Sequence, residues 1–162
     1  MQIILFKFNK KSYHELYSTL NSRFCNKAKI NSKILDKIKV VFVVLNKKKK
    51  INGVCGLYVT SYKTNELFIA LEKKIRNKGI GKKLMNRLVK WSKKNKVNFF
   101  IQSIDHKYYF PALQLYHSFG YKRKYSIGKK IILMKKNYSF TMIIYRMIFF
   151  YLSSIKLIIR KF

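Results

Sequence analysis

Residues 66 to 94 read as strand, loop and helix in succession, and that passage constrains the fold more than any other. Glu66 to Leu71 is a short, mostly apolar run suited to a strand. Arg76-Asn77-Lys78-Gly79-Ile80-Gly81 then makes a basic loop with two glycines. Ile80, Leu84, Leu88 and Trp91 recur on one face of a helix that runs to about Lys94. A helix N-terminus carries unpaired backbone N–H groups and a partial positive charge, which together favour an anion. Glycines at 79 and 81 let that backbone come close to a phosphate with no Cβ in the way. The passage therefore reads as a site for a phosphate-bearing ligand. It is not a Walker loop, which needs two glycines five apart followed by Lys and Ser or Thr, nor the three-glycine dinucleotide fingerprint.

The rest of the chain supports one packed domain. Its 162 residues can bury a substantial core, and 49% apolar with 16% aromatic content excludes a disordered composition. Against 37 Lys and Arg stand 5 acids, a formal charge of +32. These cations are spread through every segment rather than gathered on one element, and no aromatic-basic nucleic-acid motif is present, so nucleic acid is not an expected partner. The acids are Glu15, Asp36, Glu66, Glu72 and Asp105, too few and scattered for paired-carboxylate chemistry or a Mg²⁺ cage. His14, His106 and His117 with Cys25 and Cys55 match no zinc spacing, so no metal is expected. Two isolated cysteines without a signal peptide read as reduced thiols of a cytoplasmic protein.

Met1 to Phe8 opens as a strand. Ser12 is an N-cap candidate, with Glu15 at the capping-box position, for a helix to about Phe24, and a second short helix covers Ser32 to Ile38. Val40 to Leu45 is a buried strand, Asn46 to Lys50 a basic turn and Ile51 to Thr60 its hairpin partner. Gly53 and Gly56 mark a bulge or a close backbone approach within that strand. Phe99 to Ile104 is a further strand, and Pro111 opens a helix that Gly120 ends. Tyr121 to Ile127 and Lys130 to Met134 close as a strand pair. The expected order is βααβββαβαββ over residues 1–136, an α/β fold with a mixed sheet and helices on both faces.

Three pieces of this order act together: Ile69-Ala70-Leu71 followed by Arg76-x-x-Gly79-x-Gly81; the run Ala112-Leu113-Gln114-Leu115-Tyr116-His117-Ser118-Phe119-Gly120-Tyr121; and the closing Ile131 to Met134 strand. Jointly they resemble the GNAT superfamily of acetyl-CoA-dependent N-acetyltransferases. The resemblance implies an enzyme that moves an acetyl group from acetyl-CoA to a primary amine. It implies that Gly79, Ile80 and Gly81 offer backbone N–H groups to the CoA pyrophosphate, with Arg76, Asn77, Lys78 and Lys82 lining the same turn. Ile69 and Leu71 would pair edge-on with the pantetheine arm where the fourth and fifth strands splay apart. Tyr116 would protonate the departing CoA thiolate.

The general base is less determined. Where many relatives carry an acid on the fifth strand this chain has Gln102, which accepts no proton, and Glu66 sits one residue from the fourth-strand slot that Asn65 occupies. A one-residue shift reverses the face of a strand unless a bulge intervenes, so Glu66 and a water relay both stand as candidates. Glu72, Asp105, His106 and His117 read as loop or solvent-facing polar residues. The acceptor (amino sugar, protein or small amine) is not named by the sequence. A non-catalytic basic module for anionic lipid or nucleic acid is the rival reading.

Residues 137–162 lie outside the resemblance. Tyr138 to Phe162 is apolar and interrupted by cations, and Arg146, Ser153, Lys156 and Arg160 fall on one helical stripe. That pattern suits a helix lying on an anionic membrane surface, holding the protein peripherally on the inner face. A helix that covers an apolar patch or joins two copies is the next alternative, and a true membrane span the third, so monomer and homodimer both stand.

Overall fold

The structure, a computed structural model, describes residues 1–6, 37–60, 63–104, 110–127 and 130–135. Strands β1 (Gln2–Leu5), β2 (Ile38–Leu45), β3 (Ile51–Val59) and β4 (Asn65–Leu71) form one antiparallel sheet in that order. Strands β5 (Ile101–Ile104), β6 (Lys122–Ile127) and β7 (Lys130–Met134) form another, ordered β5-β7-β6 and again antiparallel. The two sheets meet at one parallel bridge between Glu66 and Phe100. There the Leu67 N–H donates to the Phe100 carbonyl at 3.0 Å, and the Phe100 N–H donates to the Asn65 carbonyl at 3.1 Å. That bridge makes the whole sheet mixed.

Helix α1 (Ile80–Lys94) follows β4, and helix α2 (Phe110–Ser118) follows β5. Of the apolar stripe read from the sequence, Ile80, Leu84 and Leu88 are buried and Trp91 is half-buried; with Met85, which the stripe did not include, they pack with Val40, Phe42 and Val44 of β2 and Cys55 and Leu57 of β3. Leu113 and Tyr116 bring α2 into the same cluster, so both helices cover one face of the sheet. The opposite face has its own buried set in Val41, Val43, Val54 and Phe68. The helix expected to run from Ser12 to about Phe24, the one expected over Ser32 to Ile38 apart from its last two residues, and the tail from Tyr138 to Phe162 lie outside the described residues. Among the described residues no helix is long and apolar enough to cross a membrane.

Two local details differ from the sequence reading. Ile38 does not end a helix; it starts β2 opposite Tyr58, while Val40 sits opposite Leu57, so Lys39 is an extra residue at an irregularity. In β3 itself Asn52 is an extra residue beside Gly53, since Val44 sits opposite Gly53 and Leu45 opposite Ile51, and Gly56 marks a close approach, since a Cβ there would collide with the Val40 carbonyl and the Phe68 ring. A short 3₁₀ turn, Lys73–Ile75, precedes the glycine loop and pins it to the core through the buried Ile75. At the sheet's outer edge, the Arg87 guanidinium donates to the Ile3 carbonyl and occupies an acceptor that edge strand β1 would otherwise present.

Candidate active site

The site begins where β4 and β5 part. In β4 the Leu67 N–H points toward β5, so by the two-residue period the backbone groups of Ile69 and Leu71 point the same way, and those of Phe68 and Ala70 point to β3. Past the bridge at Phe100, Ile69 and Leu71 have no backbone partner on β5 among the described residues. The strands therefore diverge from a closed apex at Glu66 and Phe100 toward an open mouth at Leu71. On the β5 side, the same alternation turns the backbone of Gln102 toward the divergence. From Leu67 to Leu71 the open edge runs about 13 Å. It offers alternating N–H and C=O groups, which an extended amide-bearing chain can pair with as an added strand.

The glycine loop stands at the mouth. Asn77 and Gly79 adopt left-handed conformations, with φ of 58° and 71°, and this double reversal aims the chain into α1. Gly79 caps the helix without any side-chain hydrogen bond, and the first intrahelical bond runs from Lys83 N–H to the Gly79 carbonyl at 3.1 Å. The N–H groups of Ile80, Gly81 and Lys82 thus have no hydrogen-bond acceptor among the described residues. Arg76, Asn77, Lys78, Gly79 and Lys82 are exposed around them, whereas the Ile80 side chain is buried and anchors the turn. A Cβ at Gly79 would meet nothing within 4 Å, so the outer side of the loop is open. Arg76 is partly committed: its Nε donates to the Leu71 carbonyl at 2.9 Å and ties the loop to the end of β4.

Tyr116 enters from α2 on the helix-covered face, 6% exposed, in one cluster with Cys55 and Leu67; Ile69 and Leu71 pack against that cluster. Burial pushes its phenol well above the usual range, and the neighbouring Cys55 thiol adds to the effect. Cys55, opposite Ile69 in the register, is also buried and its thiol is raised for the same reason. The preceding residue, Leu115, lies over the loop: a Cβ at Gly81 would stand 3.2 Å from Leu115 Cδ2 and 3.7 Å from Leu71 Cδ1. Leu71, Gly81 and Leu115 therefore make an apolar collar between mouth and loop.

Glu66 is placed differently. The β3–β4 register runs without irregularity, so Glu66 shares the face of Phe68 and Ala70, away from Tyr116, and lies opposite Tyr58. Asn65 is used otherwise, its Nδ2 donating to the Asn98 carbonyl at 2.9 Å and clamping the entry of β5 to the start of β4. Glu72 is no solvated loop acid, since it pairs with Lys74 at 2.9 Å. His117 is exposed, and Asp105 and His106 lie outside the described residues. The sequence missed Cys55 and Leu115 as neighbours of the site. Leu115 was findable as the residue beside Tyr116; Cys55 required the strand register.

This geometry can hold a phosphate at the α1 N-terminus and an extended arm along β4, with a buried phenol beside the arm. The sequence matches the acetyltransferase (GNAT) domain family over residues 37–123, from the start of β2 into β6. No curated protein sequence matches it. Among solved structures it is similar to a GNAT-family acetyltransferase from Staphylococcus aureus (19% identity, TM-score 0.60, covering 82% of this chain and 98% of that one). It is also similar to the IAA acetyltransferase of Bacillus cereus (20%, 0.62, 82% and 97%). A third is the PaiA N-acetyltransferase of Thermoplasma acidophilum in complex with coenzyme A (17%, 0.59, 84% and 99%). The family match spans more than half of the chain and includes β4, the glycine loop and Tyr116, and on that ground the protein belongs to the GNAT family of acetyltransferases.

Proposed function

We propose that the protein transfers an acetyl group from acetyl-CoA to a primary amine. The observation that carries this reading is the β4 edge, open at Ile69 and at the Leu71 N–H, which runs from the apex toward the N–H groups of Ile80, Gly81 and Lys82 at the α1 N-terminus. Pyrophosphate would sit on the N–H groups of Ile80, Gly81 and Lys82, beside Lys78 and Lys82. The pantetheine arm would lie along Ile69 and Leu71, which brings the thioester to the apex near Leu67. The gap between the strands opens just past the closed apex, so the amine arrives there from the Glu66 face while the sulfur departs on the Tyr116 face.

The amine nitrogen attacks the thioester carbon, the C–S bond breaks, and the Tyr116 hydroxyl gives its proton to the departing sulfur. Burial keeps that phenol protonated across the neutral range. It also makes a desolvated thiolate more basic, so transfer between them is not opposed by the full shift of the phenol. The surplus proton of the amine passes to Glu66, directly or through water. The test is release of free CoA thiol by the full chain with a panel of amines. Tyr116→Phe should lower kcat by about 10²–10⁴-fold, the range of a lost general acid, with KM for acetyl-CoA little changed. Unaltered kcat removes Tyr116 from the chemistry.

A further inference from the structure

Helix α1 carries no acid along its whole length. On its outer side Lys83, Arg87, Lys90 and Lys94, all exposed, follow one another within about 60° of arc and roughly 17 Å of axis. Lys93 lies exposed alongside them. Like charges three and four residues apart on a helix repel. The helix dipole favours cations only in the last turn, so it accounts for Lys93 and Lys94 but not for Lys83, Arg87 and Lys90. Exposed apolar surface borders this stripe. Arg87 reaches the Ile3 carbonyl, so β1 runs beside it. Ile3 and Leu5 pair with Val44 and Phe42, both of the cluster under α1, so Leu5 lies on the side of the sheet that α1 covers. Leu5 is nevertheless 49% exposed, and Met1, just before the same strand, is 63% exposed. At the C-terminal end of α1, Lys135 stands 5.1 Å from the centre of the Tyr121 ring. Burial there, with the neighbouring Lys93 ammonium, holds its pKa below the usual lysine value. From Lys135 the chain runs on toward Tyr138 to Phe162, apolar and cationic in sequence.

We infer that the outer side of α1, together with the edge of β1, rests on an anionic lipid bilayer. The cationic stripe faces the headgroups, which relieve its self-repulsion, while Leu5 and Met1 enter the interface beside Arg87. A polybasic patch or an apolar contact alone gives weak, reversible attachment, and the two together hold. The chain leaves the domain beside Lys93, so the apolar tail starts at one end of the same surface. A nucleic-acid backbone would satisfy the lysines equally well, but it offers nothing apolar to Leu5 and Met1. This inference does not depend on the acetyltransferase reading, because Lys78 and Lys82 of the glycine loop are not part of the stripe.

The experiment is sedimentation of the full chain with vesicles of phosphatidylcholine and phosphatidylserine, compared with phosphatidylcholine alone. The parent should bind the anionic vesicles more tightly, and less so as salt rises. A cation near such a surface is worth about fivefold, so Lys90→Glu with Lys94→Glu should weaken binding by about 25-fold or more. Lys124→Glu with Lys130→Glu makes the same change in net charge on exposed residues of the other sheet, and should cost little. Leu5→Ser should weaken binding a few-fold even in high salt, where the lysines are screened. Melting curves matched to the parent's show that each variant keeps the fold. Equal losses from the two lysine pairs would mean that net charge alone acts, and would overturn the inference. So would failure of the parent to bind anionic vesicles, or binding of duplex RNA that Lys90→Glu with Lys94→Glu abolishes while vesicle binding persists.

Discussion

Replacing Ile69 by proline separates the role of the β4 edge from its role in the sheet. The Ile69 N–H points away from β3 toward the divergence, so proline there removes no ladder bond. What the fold loses is part of a half-buried side chain, about 1 kcal/mol, or roughly 2–4 °C in Tm for a chain of this size. What acetyl-CoA loses is one backbone donor, worth about 1–1.5 kcal/mol, which predicts binding roughly 5–12-fold weaker. Ala70→Pro is the control: its N–H serves the bond to β3 opposite Val54, so that variant should lose Tm more heavily, by about 6 °C or more. The assay is calorimetric titration of the full chain with acetyl-CoA, alongside melting curves. Ile69→Pro binding acetyl-CoA as tightly as the parent would show that the arm does not lie along β4.

Two further outcomes follow from the loop and the buried pair. Gly79→Ala meets no steric obstacle, yet it forces a Cβ into a φ of 71°, so Tm should drop by roughly 2–8 °C from a cost of about 1–2 kcal/mol; an unchanged Tm would mean the loop reshapes freely. Cys55 and Tyr116 are both raised in the folded chain above their ordinary values of 9.0 and 10.0. Their contribution is complete below those values and is lost as pH rises, because the unfolded chain ionises first. Thermal scans should therefore show stability falling above about pH 9, and Cys55→Ala should move the onset up by about one pH unit; an onset indifferent to Cys55 would refute its coupling to stability.

Much of this was legible in the chain before any coordinates. α1 runs from Ile80 to Lys94 as its periodicity required, because the glycine loop and the apolar stripe agree on one start and one face. Gly120, with φ of 80°, ends α2 as its position suggested. The strand start at Ile38 is not legible in local pattern, because its cross-strand partner, Tyr58, lies twenty residues away. The divergence of β4 from β5 is likewise set by one pair of long-range bonds at Phe100, which no window of sequence contains. The face of Glu66 followed from the two-residue period only once the register was known to be unbroken. Cys55 became a neighbour of Tyr116 through packing between residues far apart in the chain.

The central claim is that the loop and the β4 edge hold an acyl-CoA. The most direct measurement is the melting temperature of the full chain with and without millimolar acetyl-CoA, run beside Gly81→Asp. A carboxylate about 4–5 Å from a pyrophosphate costs roughly 1–4 kcal/mol of binding, depending on screening. The account predicts a rise in Tm of several degrees for the parent at ligand well above its Kd, and most of that rise absent in Gly81→Asp. No shift in the parent, or an equal shift in both proteins, would contradict it.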